Sequence, residues 1–339
     1  MLYLKYIIQG GFFMKIATIG TGFIVDWFLN AVSQNKNMSC VAMYTRNKEH
    51  AHTLAEKYHI TDIYENLEEM LCREDIDFIY IASPNNLHFK YAYQAMQHGK
   101  HVICEKPFTS TVKEFLTLSN YAKEHHLFLF EAIVTSHMPN YIRLKENIQL
   151  LGNIRMVQCN FSQYSSRYDK FLSSETPNVF NPSFSGGALA DINIYNLHFV
   201  IGLFGKPNDV HYYPNIQKGI DTSGVAILNY DGFQAICVGC KDTKSHCLAQ
   251  IQGEKGYAVI DSETSRCSSV KFYINGNEND MTIKQNDIAL YYELKEFQAI
   301  FENKDYKACY EKLDYSQSVM ETYEKLRKDG NIHFDADQQ

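Results

Sequence analysis

Lys15-Ile16-Ala17-Thr18-Ile19-Gly20-Thr21-Gly22-Phe23-Ile24-Val25 is the stretch whose reading decides the fold. A short run, mostly apolar and β-branched, stops at a glycine, a second glycine follows two positions on, and a helix-like segment begins. A run without polar alternation is what a strand buried on both faces requires. Gly20 permits a tight turn, Gly22 lets the backbone approach a pyrophosphate, and the following helix offers its N-terminal amides and dipole to that anion. Val25 stands where G-x-G-x-x-G has its third glycine. This departure weakens the expected helix-to-strand packing and leaves the phosphate contact open.

Outward from this turn the same alternation repeats. CVAMYT (40–45), FIYIAS (78–83), HVICEK (101–106) and LFLFEA (127–132) read as further buried strands, with helix-like segments at 23–34, 48–58, 66–73, 86–98 and 110–125. The β-α-β-α order predicts an α/β fold with a doubly wound parallel sheet, a Rossmann domain over residues 14–132. The second strand ends in Met43-Tyr44-Thr45-Arg46-Asn47, with no acid before Glu49 to accept from a ribose 2'-hydroxyl. Thr45 and Arg46 suit a 2'-phosphate, so NADP is expected in preference to NAD. The alternative is that Arg46 is a solvated charge opening the next helix.

The chain has 339 residues, 45% hydrophobic and 21% charged, which fits two folded domains. Its net charge of -7 argues against nucleic acid as a partner, which would need a basic face. Nine cysteines, an odd number without a dense framework, read as reduced thiols in the cytoplasm. No run of 18 or more apolar residues is free of charge, so no membrane span is expected. The longest apolar helix candidate, 188–204, is interrupted by Asp191, Asn193, Asn196 and His198. Cys237-Val238-Gly239-Cys240, with His246 and Cys247, has the look of a metal cluster. Residues three apart on a strand point to opposite faces, however, and no metal is expected. Residues 1–13 read as a non-native or disordered N-terminal extension. Gln9-Gly10-Gly11-Phe12-Phe13 is what a ribosome-binding site and spacer before an ATG at Met14 would encode.

Three further blocks narrow the reading: Ile81-Ala82-Ser83-Pro84-Asn85-Asn86-Leu87-His88, Cys104-Glu105-Lys106-Pro107, and Ser185-Gly186-Gly187-Ala188-Leu189-Ala190-Asp191-Ile192-Asn193-Ile194-Tyr195. With the glycine turn, they resemble the glucose-fructose oxidoreductase, inositol dehydrogenase and MocA family (Gfo/Idh/MocA), near its dimeric dihydrodiol dehydrogenase and NADP-dependent xylose dehydrogenase branch. The resemblance runs from Met14 to about Phe334. It implies an NAD(P)-dependent dehydrogenase that moves a hydride between nicotinamide and a secondary hydroxyl or carbonyl of a sugar, cyclitol or dihydrodiol. It also implies a C-terminal α+β domain, 133–339, whose large, open and mostly antiparallel sheet serves substrate binding and assembly into a homodimer or homotetramer.

Such chemistry needs a hydride acceptor, a proton acceptor near the hydroxyl and a group that polarises the carbonyl in reverse. Lys106, at the carboxyl end of a parallel strand, sits where open α/β sheets bind ligands. Partly desolvated beside a cationic nicotinamide, its pKa is expected to fall from ~10.4, making it a proton relay that Glu105 orients or balances. The Lys106-Pro107 bond is a candidate cis peptide. Asp191 and Tyr195, four apart, share one helix face. By resemblance that face looks onto substrate, with tyrosine in place of histidine as the lysine's partner. The expected catalytic set is thus Lys106, Tyr195, Asp191 and Glu105.

The resemblance also places Gly20, Gly22, Phe23, Ile24, Thr45, Arg46, Ser83, Pro84, Asn85, His88, Glu105 and Lys106 against the cofactor. Asn85 suits an N-cap equally well, and His88 divides between core packing and cofactor contact. His198 reads as a structural histidine. Glu131 resembles a position near the reactive centre, and His137 stands where relatives often carry arginine. The irregular stretch from Ser165 to Phe184 is expected to close over substrate, with Arg167, Tyr168, Asn178 and Phe180 as contacts beside Lys106, Asp191 and Tyr195.

Helices are expected at 139–151, 186–204, 287–303 and 308–328. Strands are expected within 154–164 and in NDVHYY, VAILNY, FQAICVGC, CLAQIQG, YAVID, VKFYING and MTIKQ, as in an open antiparallel sheet. The competing function is a catalytically silent NAD(P)-binding sensor on the same scaffold. Glu105-Lys106-Pro107 with Asp191 and Tyr195 weighs against it, since a sensor needs no proton relay.

Overall fold

The opening strand and its repeats form β1 (Met14–Ile19), α1 (Phe23–Ser33), β2 (Met38–Tyr44), α2 (Glu49–Lys57), β3 (Asp62–Tyr64), α3 (Leu67–Leu71), β4 (Phe78–Ile81), α4 (His88–Gln97), β5 (His101–Glu105), α5 (Val112–Glu124) and β6 (Leu129–Ala132). They are seen in a computed structural model that describes residues 13–173 and 175–338. All six strands pair in parallel, in the order β3-β2-β1-β4-β5-β6. The chain leaves β1 toward β2 and later returns to its other side with β4. Strand order therefore reverses at β1, and a crevice opens there at the carboxyl ends. β3 was not among the expected strands, because three half-buried residues at the sheet edge carry too little periodicity to be read. α5 begins with a capping box in which Thr111 and Glu114 each satisfy the other's backbone amide.

The second half contributes α6 (Pro139–Asn147), β7 (Ile154–Ser162), α7 (Tyr168–Leu172), α8 (Ile194–Phe204), β8 (Asp209–Gln217), β9 (Ile220–Tyr230), β10 (Phe233–Cys240), β11 (Leu248–Gly253), β12 (Gly256–Ile260), β13 (Lys271–Ile274), β14 (Asn277–Asp280), α9 (Tyr291–Glu302) and α10 (Tyr306–Asp329). The eight strands form one sheet in the order β14-β13-β12-β11-β7-β10-β9-β8. Only β7 and β10 run parallel; every other pair is antiparallel.

Two expectations need correction here. MTIKQ is not a strand. Asn275 and Gly276, both at positive φ, turn the chain straight back, so the edge partner of β13 is the polar segment that precedes MTIKQ. The stretch from Ser165 to Phe184 is not a structureless loop either. It holds α7 and two single turns, and Tyr168, Phe171 and Phe180 are buried, with the last two rings stacked 4.8 Å apart.

α9 folds back onto the first sheet, where Leu294, Phe297 and Phe301 pack with Phe78, Phe128 and Phe130 in one cluster. α10 runs beside α5, β6, α8 and β8 and so fills the space between the two sheets. The segment Pro182–Phe204 is long and apolar enough to cross a membrane by length and composition, and most of it is buried inside the protein. The nine cysteines are all free. The expectation for residues 1–13 falls almost wholly on 1–12, outside the described residues.

Candidate active site

The glycine turn is wedged between the ends of β2 and β4. The Gly20 amide donates to the Tyr44 carbonyl at 3.3 Å, and the Ala82 amide donates to the Ile19 carbonyl at 2.9 Å. Gly20 sits at φ +117°, and a Cβ there would come 2.4 Å from the Ala82 oxygen, so neither the conformation nor the space admits a side chain. A Cβ on Gly22 would meet nothing within 4 Å, which leaves the start of α1 open to a ligand. Val25 is fully buried, so the helix accepts a branched residue where the pattern has glycine.

Beside this turn lies a cleft of about 450 Å³, lined by Gly20, Thr21, Thr45, Arg46, Asn47, His50, Ser83, Pro84, Leu87 and Tyr91 among others. No lining residue is acidic, and Arg46 is exposed at its edge. The donor set fits a phosphorylated dinucleotide: open amides at a helix start, a turn that excludes Cβ, and a free guanidinium where a 2'-phosphate would lie. Asn47, His50 and Tyr91 were not foreseen, because nothing local distinguishes them from other residues of their segments. Phe23 is exposed and Ile24 half-buried at the head of α1. Thr45 is buried, its hydroxyl donating to the Asn47 carbonyl at 3.0 Å, so it shapes the turn that presents Arg46.

Several residues expected against the cofactor have other commitments. His88 is buried, with Nδ1 3.0 Å from the Pro107 oxygen and Nε2 3.0 Å from the Ser83 oxygen. It ties two site loops together instead of facing the cleft, and burial pushes its pKa down. The Asn85 amide donates to the Ser185 carbonyl at 2.8 Å, joining the two halves of the protein instead of capping a helix. Glu105 is buried and accepts from the Tyr80 hydroxyl at 2.6 Å. Burial lifts its pKa to about 7, with the Tyr80 hydrogen bond and Lys106 pulling the other way.

Lys106, in a cis bond to Pro107, points away from that pocket toward the second half. Its Nζ donates to the Asp191 carbonyl at 2.9 Å and to Asp191 Oδ1 at 3.0 Å, and it stands 4.9 Å from the centre of the Tyr195 ring. Asp191 lies in a π-helical turn, Leu189–Asn193, that leads into α8. Such turns recur at functional sites. The turn begins where Gly187, at φ +108°, lets the buried Asp221 carboxylate approach, and Asp221 accepts from the Leu189 amide at 2.6 Å and the Tyr212 hydroxyl at 2.7 Å.

The lowered lysine pKa expected from the sequence is reversed by the protein's own groups. Burial does work against the Lys106 charge, but the Asp191 carboxylate, with Tyr195 and Glu105, outweighs it and holds the ammonium above its ordinary range. Desolvation also works against the Asp191 carboxylate, and Lys106 and Lys241 together keep it well below the usual range. Burial pushes the Tyr195 hydroxyl up to about 12, with Lys106 the chief opposing influence. As it stands, the site holds an ammonium, an ionised carboxylate and a neutral phenol: two donors and an acceptor side by side.

Other candidates lie apart from this group. Arg167 is exposed, and Tyr168 is buried with its hydroxyl donating to Gln217 at 2.9 Å. Asn178 is exposed, whereas Phe180 is buried beneath the Lys241 ammonium. His198 is fully buried between the Tyr315 hydroxyl, 2.8 Å from Nδ1, and Glu131, 3.3 Å from Nε2, as a structural histidine would be. Glu131 also accepts from Ser316 at 2.6 Å, and His137 pairs with Glu296 at 2.5 Å.

Comparison with known proteins bears on this geometry. Residues 14–133 match the oxidoreductase family with NAD-binding Rossmann fold, and residues 141–259 match the GFO/IDH/MocA C-terminal domain. The chain belongs to the Gfo/Idh/MocA oxidoreductase family. Within that family it is 36% identical to scyllo-inositol 2-dehydrogenase (NADP(+)) of Bacillus subtilis, over 96% of this chain and 99% of that one. It is 28% identical to trans-1,2-dihydrobenzene-1,2-diol dehydrogenase of Xenopus tropicalis, over 72% of each chain. Among solved structures, a 3-ketoreductase from Actinomadura kijaniata in complex with NADP and TDP-benzene superposes with a TM-score of 0.82 at 19% identity, covering 93% of this chain and 97% of that one.

As a Gfo/Idh/MocA protein the chain carries an NAD-binding Rossmann fold, whose crevice is the cleft beside Gly20. One residue of this candidate site escaped the sequence reading altogether. Lys241, buried just after β10, donates to Asp191 Oδ2. A lysine in a turn rich in lysine, aspartate and serine gives no sign of being buried.

Proposed function

We propose that this protein is an NADP-preferring dehydrogenase acting on a secondary hydroxyl, or the matching carbonyl, of a small polyol, sugar or dihydrodiol. The observation that carries the reading is the meeting of Lys106, Asp191 and Tyr195 at the carboxyl end of β5, on the sheet whose crevice holds Arg46 and no acid. The activities of its relatives, inositol and dihydrodiol dehydrogenases, point to the same substrate class.

Gly20, the start of α1 and Arg46 would hold the dinucleotide, and the nicotinamide supplies hydride acceptor or donor when bound. The protein's own groups handle the proton. In carbonyl reduction Lys106, held as an ammonium, donates a hydrogen bond and then a proton to the developing alkoxide, and Tyr195 supports it with its hydroxyl. In oxidation the same atoms work in reverse: Lys106 as free amine takes the proton that the hydroxyl sheds as its carbon loses hydride. Asp191, ionised throughout, accepts from a neighbouring hydroxyl and so favours substrates with vicinal oxygens.

The residue division 14–132 and 133–339, a cytoplasmic setting and a homodimer or homotetramer belong to the same proposal. Exposed Tyr213, Ile216 and Tyr257 on the second sheet support an assembly through that face. The test is a screen of inositols, sugars and diols with NADP and NAD, following reduced nicotinamide. Turnover with NADP is expected, and Lys106→Ala should lower it by about 10²–10⁴-fold. Tight cofactor binding with no turnover across the panel would instead favour a sensor.

A further inference from the structure

Asp191 has two cationic partners, and only one belongs to the motifs that announce the site. Lys106 reaches Oδ1 from the first sheet, and Lys241 reaches Oδ2 from the second. Lys241 is clamped by its own backbone: its amide donates to the Thr222 carbonyl and its carbonyl accepts from the Ser165 amide, each at 2.8 Å. Its side chain is only 6% exposed, and the ammonium lies 5.4 Å from the centre of the Phe180 ring. A buried ammonium is costly unless paired, and an apolar side chain would fill the space beside Phe180 without that cost. Two carboxylates flank it, Asp221 on β9 and Asp242 next in the chain. Asp221 accepts from Leu189 and Tyr212, and Asp242 from Thr222 and Ser223, so Asp191 is the carboxylate that Lys241 bonds.

We propose that Lys241 is a positioning residue for proton transfer at Lys106: it anchors the Asp191 carboxylate and shares it between two ammonium groups, which loosens Asp191's hold on the Lys106 proton. The proposal rests on the reading of Lys106 as proton carrier. Around Lys106 stand Asp191 and Tyr195 from the helical segment, Glu105 from its own strand, and, behind Glu105, Tyr80 on β4. Glu293 on α9 adds a buried carboxyl whose influence reaches Tyr195 and Glu105. The acids in that set favour the ammonium when ionised, and His88, within electrostatic reach of Lys106, has its own charged form suppressed by burial. Among the described residues, Lys241 is the cation that opposes those acids by bonding the carboxylate both lysines share. Without it, Asp191 would pair with Lys106 alone, and the oxidation direction would lose its base.

Acetylation of Lys106 by acetic anhydride, followed across pH by peptide mass spectrometry on the full-length protein, reads the free-amine fraction without any substrate. Lys241→Met and Lys241→Gln should raise the labelling midpoint of Lys106 by a pH unit or more, roughly a tenfold loss of labelling at fixed pH. Lys241→Arg should restore the wild-type profile. With a substrate from the panel, the neutral variants should lower kcat for oxidation more than they change KM and move the alkaline limb upward. An unshifted Lys106 profile in either neutral variant with a wild-type circular dichroism spectrum would overturn the proposal. A shift without turnover of any substrate by the wild-type enzyme would sink the dehydrogenase reading alone, and turnover with no shift would sink this inference alone.

Discussion

The Lys106 ammonium faces the Tyr195 ring, 4.9 Å from its centre, while both of its hydrogen bonds go to Asp191. Lysine and tyrosine are therefore coupled through the ring face and through charge. Tyr195→Phe keeps the ring and its attraction for the cation and removes only the hydroxyl. A loss of about 10²-fold in kcat is expected, with NADPH affinity and Tm close to wild type. Steady-state kinetics decide it: full activity in the phenylalanine variant would make Tyr195 a packing residue.

Arg46 is exposed at the edge of the cleft, at the end of β2 where no acid stands. Arg46→Asp should weaken NADP by about 1.5–3 kcal/mol, roughly 10–150-fold, and leave NAD nearly unchanged. Fluorescence titration of the two reduced cofactors measures the ratio. Equal losses for both would remove the 2'-phosphate from the explanation.

Gly20→Ala places a methyl 2.4 Å from the Ala82 oxygen on a backbone at φ +117°. The strain of such a conformation alone costs about 1–3 kcal/mol, and relieving the clash must move the turn away from β4. A lower Tm together with lost dinucleotide binding is expected. Thermal melts with and without NADPH check both, and a variant that melts and binds like wild type would contradict the close approach.

Burial raises the Asp221 carboxyl from 3.8 to about 7, against the Leu189 amide and Tyr212 hydroxyl that accompany it. The folded protein thus holds this proton more tightly than the unfolded chain does. Its contribution to stability is full below about pH 4 and is lost as pH rises through about 7. Asp221→Asn cannot titrate, so it should flatten the decline in stability across that interval, with Glu105 leaving a residual slope. Urea midpoints at about pH 4.5 and pH 7.5 give the comparison. Parallel slopes in the two proteins would show that Asp221 does not titrate there.

Much of this was legible in the sequence because the signals are local. Apolar runs between glycine and polar segments gave the parallel sheet, since a strand covered on both faces has no other composition open to it. Lys106 beside Pro107 and the spacing of Asp191 and Tyr195 pointed to three groups that the fold brings into contact. Contacts between distant segments were less legible. The resemblance sets His88 and Asn85 against the cofactor, with core packing open for His88, and the fold bonds them to Pro107 and Ser185 of other loops. MTIKQ read as a strand because its composition suits one, and the turn at Asn275 and Gly276 had already given the edge to its neighbours.

Composition and periodicity thus mark most of the strands and helices, and motif spacing marks side chains at their ends, because both depend on residues a few positions apart. The charge state of the site is decided elsewhere. Lys106 and Lys241 lie 85 and 50 residues from the carboxylate they share. Only the tertiary fold, which sets the end of β5 against the helical turn and the end of β10, brings the three together, and only there does a carboxylate between two ammonium groups outweigh the cost of burying the lysines. Hence a lysine that alone would lose its proton more easily on burial keeps it.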